Sequence, residues 1–242
     1  AFIAEPITGA SGVIVPPQGY YQKVQAVLNK YDIMFWADEV ITGFGRTGND
    51  FGCTTMGIDS PDMMTFAKQL SSAYMPISAS AIRRDVYDAM IDQTASAGAF
   101  GHGYTYSGHP VACAVALKTQ EIFQRDQIFD KAAVTGEYLQ KRLAEFADHP
   151  LVGEVRGRGL LGAIELVANK QTGEPFVGGM VGGHAQKMAQ DNGLLIRAVA
   201  GSSLGFCPPL IISNEQIDEM MAIVAVALDA TLQHCHRENL LV

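Results

Sequence analysis

The chain has 242 residues, 48% hydrophobic and 17% charged, and a formal net charge of −8. This is the profile of a globular chain able to build one large core or two smaller ones, and it excludes intrinsic disorder. The acidic balance, with no basic stripe to offset it, argues against a nucleic-acid partner.

The chain opens on AFIAEPITGASGVIVPP, an apolar strand with no initiating Met, charged n-region or cleavage signal. This reads as a cut in mid-domain, so a fragment of a longer protein is expected, with a separate N-terminal chain as a candidate partner. AFIAEP is a buried strand ended by Glu-Pro, and Gly9 and Gly12 follow in a turn. GYYQKVQAVLNKYD (19–32) spaces Tyr21, Val24, Leu28 and Tyr31 as a helix does, and IMFWADEVI is a second apolar strand with Asp38 and Glu39 at its end. A Gly-rich loop to Gly57, a short strand DMMTFA, a strand ISASAI and a short helix RDVYDAMI come next. Strand, helix, strand predicts an α/β layer with a mainly parallel sheet.

From Pro110 to about His149 the pattern is helical. Beyond it LLGAIELV and LLIRAV read as strands, GGHAQKMAQDNG as a helix and LGFCPPLII as extended chain. NEQIDEMMAIVAVALDATLQ closes the chain as an amphipathic helix with Ser213 or Asn214 as N-cap. The texture divides the chain into a larger domain, 1–147, and a smaller C-terminal α/β domain, 148–242. The longest apolar run, MMAIVAVAL (220–228), is too short to span a bilayer, so no membrane partner is expected. Four cysteines (Cys53, Cys113, Cys207, Cys235) lie scattered without CxxC spacing, which suits free thiols in a reducing, cytoplasmic compartment.

G-x-G-x-x-G occurs twice, in GFGRTG (Gly43, Gly45, Gly48) and GRGLLG (Gly157, Gly159, Gly162). A dinucleotide site needs a strand before the glycines and a helix after them. The residues after GFGRTG carry no helical period, and GRGLLG runs into a strand, so both read as loops. His234 and His236 straddle Cys235, but positions i and i+2 of a helix point to different sides, so no metal site is expected.

Lys68 stands in an apolar stretch, FAKQL, at the end of one strand, and Asp38 ends another. Carboxylates at the C-terminal ends of parallel strands sit where such sheets bind ligands. A strand-end carboxylate and a strand-end amine in one crevice are what pyridoxal phosphate needs. The lysine, with a pKa lowered by desolvation, forms a Schiff base, and the aspartate keeps the ring nitrogen protonated. The plain alternative is a capping Asp38 and a Lys68 whose amine reaches water along an apolar surface. Spacing alone leaves the two readings level.

FWADEVITGFGRTG, IDSPDMMTFAKQLSSAYMP and GYTYSGHPVACA, with VRGRGLLGAIELV and LLIRAV, resemble the class III pyridoxal-phosphate-dependent aminotransferases of fold type I. The resemblance covers essentially the whole chain and points to the ω-amino acid or amine:pyruvate transaminase branch. It implies that Lys68 is the Schiff-base lysine, Asp38 the pyridinium partner and Val40 a packing residue on the ring. It further implies that Thr105, with Tyr104 beside it, binds the cofactor phosphate of the neighbouring subunit, so that a homodimer with active sites at its interface is expected. Glu5 is placed near the cofactor, and Arg197 matches the arginine that pairs with a substrate carboxylate. Gln69 departs from the glycine common in the family. The implied activity is amino transfer between an amine or ω-amino acid and a 2-oxo acid such as pyruvate. An aminomutase or racemase on the same fold, or a catalytically silent fragment acting as a binding unit, are the alternatives.

Overall fold

The computed structural model describes residues 1–178 and 180–242. The chain separates into two compact units. One comprises Ala1–Pro6, Pro16–Phe44 and Phe51–Gln127; the other comprises Ile7–Val15, Gly45–Asp50 and Ile128–Val242.

The first unit is built on a sheet of four strands in the order β1 (Phe2–Ala4), β2 (Phe35–Asp38), β3 (Met63–Phe66) and β4 (Ala79–Ile82). β1, β2 and β3 run parallel, and β4 closes the edge antiparallel to β3. Helix α1 (Tyr20–Lys30) turns Tyr21 and Leu28 onto Phe35 and Ala37, with Cys53 and Ile58 completing this core. Each such buried aliphatic or aromatic side chain contributes roughly 1.5–3 kcal/mol. Tyr31, read from the sequence as part of the helical stripe, instead caps the helix and is 62% exposed. Because strand side chains alternate, Trp36 and Asp38 face away from α1.

The Gly-rich stretch ending at Gly57 holds an element absent from the sequence reading, the one-turn helix α2 (Gly52–Met56). Helix α3 (Arg84–Ala97) is also longer than the short helix expected, and it buries none of its described residues. Helix α4 (Pro110–Arg125) starts with proline at its first position and buries Ala112, Ala116, Thr119 and Phe123 on one stripe.

The second unit carries an antiparallel sheet in the order β5 (Val152–Arg158), β6 (Leu161–Asn169), β9 (Ser203–Phe206) and β8 (Arg197–Val199), with β7 (Glu174–Pro175) paired to β6. Helices α5 (Ile128–Ala144), α6 (Met180–Asp191) and α7 (Asn214–Arg237) belong to it. Ser213 is the N-cap of α7, in a capping box with Gln216. GRGLLG is not a loop: its outer glycines lie in β5 and β6, paired as Gly157↔Gly162, around a tight turn. The glycines serve packing. A Cβ on Gly136 of α5 would lie 2.6 Å from the Gly159 Cα, so helix and hairpin approach at backbone distance. LLIRAV is strand only from Arg197 onward.

Candidate active site

Parallel pairing brings the C-terminal ends of β1, β2 and β3 to one edge of the first sheet. Asp38 is the last residue of β2, opposite Thr65 of β3. Glu5 follows β1 one residue beyond the row Ala4↔Ala37, and its backbone carbonyl accepts the hydroxyl of the buried Tyr21. Burial raises the pKa of that hydroxyl, first among its causes. Lys68 comes two residues after β3, at the start of a 3₁₀ turn. Three of the expected site residues are thus gathered at one sheet edge, the position where open α/β sheets bind ligands.

The half-buried Asp38 holds its carboxylate by a local turn. The backbone N–H of Val40 donates to Oδ1 at 3.0 Å. Among the described residues no lysine or arginine pairs with this carboxylate, which leaves Oδ2 as an acceptor. On the same face the Trp36 indole N–H donates to the Thr65 hydroxyl, and the Glu39 N–H donates to the Thr65 carbonyl at 3.0 Å, tying β2 to β3 beside Asp38.

Lys68 has φ 44, and Ser72 and Ala73 of the same turn have φ 51 and φ 64. Left-handed backbone costs a residue with a Cβ roughly 1–2 kcal/mol, so the turn must be held from outside. The α4 residue Gln120 supplies one clamp, its amide donating to the Leu70 carbonyl at 3.0 Å, and Gln69 bonds to the Ser72 hydroxyl at 3.1 Å. The Lys68 side chain is exposed, and among the described residues its ammonium makes no hydrogen bond or ion pair. Desolvation of this amine, expected from its apolar flanks, is not provided by this chain. Its neighbours Phe66, Ala67 and Leu70 are only half-buried.

The sequence reading missed Glu39. Its side chain is fully buried and accepts three hydrogen bonds: from the Thr42 hydroxyl at 2.6 Å, the Gly52 N–H at 2.9 Å and the Cys53 N–H at 2.7 Å. The carboxylate therefore caps α2 and ties the end of β2 to it. Burial, and then the Glu39 charge, push the Cys53 thiol pKa up. Although a helix does follow GFGRTG, the amides at its start are taken by Glu39 and are closed to a pyrophosphate. The only sequence signal was a second acid beside Asp38 in WADEV.

Tyr104 and Thr105 lie on the exposed segment before α4. Tyr104 and Ser107 bond to each other there, N–H to Oγ at 3.0 Å and carbonyl to N–H at 2.9 Å. No hydrogen bond or ring contact joins this segment to Asp38 or Lys68 among the described residues. In the second unit, Arg197 begins β8 and is exposed. Arg46 is buried and donates to the carbonyls of Leu160 at 3.0 Å and Pro208 at 2.6 Å, so it has structural partners. All four cysteines are free thiols, and no described helix is long and apolar enough to cross a membrane.

Pyridoxal phosphate fits these residues at two points. Asp38 keeps an acceptor for a protonated ring nitrogen, and Lys68 keeps an uncommitted amine for an aldehyde on the same edge.

Residues 1–228 match the sequence profile of Aminotransferase class-III. The putrescine–pyruvate aminotransferase of Pseudomonas aeruginosa is 50% identical over 232 residues, 96% of this chain and 50% of that protein. A chloroplastic gamma aminobutyrate transaminase 3 of Solanum lycopersicum is 46% identical over 236 residues, 96% of this chain and 44% of that protein. Among solved structures, the omega transaminase from Pseudomonas jessenii in complex with PMP is similar at TM-score 0.93 and 47% identity. That similarity covers 96% of this chain and 51% of that one. The chain spans about half the length of the relatives it matches.

Proposed function

Since the chain belongs to the class III aminotransferase family, we propose that the protein carrying it moves an amino group between an amine or ω-amino acid and a 2-oxo acid such as pyruvate. The fold is that of the pyridoxal-phosphate-dependent transferases of fold type I. The observation that carries the proposal is the placement of Asp38 and Lys68 after adjacent parallel strands, neither with a charged partner among the described residues.

Pyridoxal phosphate, when bound, supplies an aldehyde that captures an amine and a ring that takes up the electrons left at the substrate carbon. Asp38 would keep the ring nitrogen protonated through a charge-assisted hydrogen bond, and Val40 would pack against the ring. The Lys68 Nζ would hold the group through its aldehyde and, as a free amine, would serve as the base and acid that moves the substrate's proton. Glu5, at the neighbouring strand end, would lie near the group. Thr105 and Tyr104 would serve the phosphate of a neighbouring subunit in a homodimer, for which their exposure leaves them open. Arg197 offers a planar fork suited to a substrate carboxylate. The proposed division is a large domain over 1–147 and a small one over 148–242, whereas the compact units of this chain part at Gln127 and Ile128, with α5 in the second. The four free thiols favour a reducing, cytoplasmic setting.

Borohydride reduction followed by peptide mapping tests the assignment. The cofactor's mass is expected on Lys68, and Lys68→Ala abolishes both the label and the visible absorbance. Label on Lys23 or Lys118 would overturn it. Net amino transfer to pyruvate separates this activity from an aminomutase or racemase.

A further inference from the structure

Helices α6 and α7 meet at a pair of imidazoles. The rings of His184 and His234 lie with centroids 4.1 Å apart and planes 4° from parallel. Thr231, fully buried one turn before His234, donates its hydroxyl proton to the Ala227 carbonyl at 2.7 Å. Its oxygen is therefore the acceptor for the His184 Nδ1–H at 3.1 Å. This relay sets neutral His184 in the Nδ1–H form and leaves Nε2 as the atom that takes up a proton. The pair is not a chelate: each lone pair lies in its own ring plane, and parallel planes cannot point two lone pairs at one ion.

We propose that the stacked pair is an acid-sensitive clasp, fastening the C-terminal part of α7 to α6 while both rings are neutral and releasing it when both are protonated. The surrounding charges favour the neutral state. Burial first, then His234, then Arg237 hold the His184 pKa below the ordinary imidazole value. His236 on α7 and Glu238, the C-cap after it, lie close in sequence to the pair, and on α6 Lys187 is committed to Asp191 at the next turn. β8 brings the exposed Arg197, β9 brings no charged residue, and α5, packed along α7, brings Asp130, Lys131, Glu137, Lys141 and Arg142, the last toward Asp218 near the start of α7. Among these charges, those of His234 and Arg237 depress the His184 pKa. Well above about pH 6.5 His184 is neutral in both the packed and the opened state, and the clasp is shut. As pH falls through that value the opened state takes up the proton that packed His184 resists, so closure is lost progressively. The effect reaches β8, because the α6 residue Gln186 accepts the Ala198 N–H at 2.7 Å, next to Arg197.

Amide hydrogen exchange of α6 in the intact protein, corrected for the intrinsic pH dependence of exchange, tests this. The opening constant of α6 is expected to be at least about threefold larger at about pH 5 than at about pH 7.5. His234→Phe keeps a ring on the stack without a second charge and is expected to reduce that ratio, and His184→Phe to bring it close to one. Histidine NMR gives an independent readout, in which the His184 titration midpoint rises in the His234→Phe protein. A parent ratio of one, a ratio unchanged in both His234→Phe and His184→Phe, or a His184 midpoint indifferent to residue 234 would each overturn the proposal.

Discussion

Replacing Glu39 by glutamine keeps shape and volume but takes one acceptor from a buried site that uses both carboxylate oxygens. Oε2 receives Gly52 N–H and the Thr42 hydroxyl, and Oε1 receives Cys53 N–H. In the better of its two flips, a glutamine oxygen keeps Gly52 and Thr42 while its amide nitrogen meets the Cys53 N–H donor to donor. One hydrogen bond to a charged group is lost, worth about 1.5–3 kcal/mol, and the two that remain fall to neutral strength. The sum is roughly 3 kcal/mol, an expected fall in Tm of about 6–12 °C for a chain of this size. Circular dichroism melting measures it. A second readout is the Cys53 thiol, now buried, which should react faster with a thiol reagent once α2 loses its cap. If Glu39→Gln melts within about 2 °C of the parent and Cys53 stays as unreactive as before, the capping account is wrong.

Asp38→Asn should lower the rate of the half-reaction with an amine donor by roughly a hundredfold or more, with cofactor affinity much less affected, because the ring nitrogen loses its anion. Stopped-flow absorbance checks this, and an unchanged rate would remove Asp38 from the ring. Arg197→Ala should cost about tenfold to a hundredfold in kcat/KM for a 2-oxo acid, the loss of a charge-assisted fork, while a simple amine is spared. Equal losses with both substrates would assign Arg197 a structural role. Gly159→Ala puts a Cβ 2.5 Å from the Thr47 carbonyl carbon at φ 57. Backbone cannot swing aside as a side chain can, so a loss of about 3 kcal/mol or more is expected in urea unfolding.

Local signals carried much of this protein. Strand ends at Asp38 and before Lys68, the helical stripe of α1, the capping residue of α7 and the α/β alternation follow from periodicity and punctuation. These depend on neighbours a few positions away, which a sequence states directly. The resemblance carried the roles proposed for Val40, Tyr104, Thr105 and Arg197, since nothing in their local pattern points to a cofactor.

Other features needed the fold. β5 escaped notice because VGEVRGR mixes glycine and arginine into the strand, and its strandedness comes from pairing with β6, not from propensity. The two glycine fingerprints look alike in sequence. One is a hairpin that meets α5 at backbone distance, and the other leads into a helix whose amides Glu39 occupies. Which of two adjacent acids faces a ligand and which is locked inside was likewise undecided along the chain. Asp38 and Glu39 are chemically near-equal neighbours, and alternation sends consecutive side chains to opposite sides. Only the packing of α2 beside the strand end makes Glu39 a buried cap and leaves Asp38 an open acceptor, because burial and hydrogen-bond partners come from residues distant in sequence.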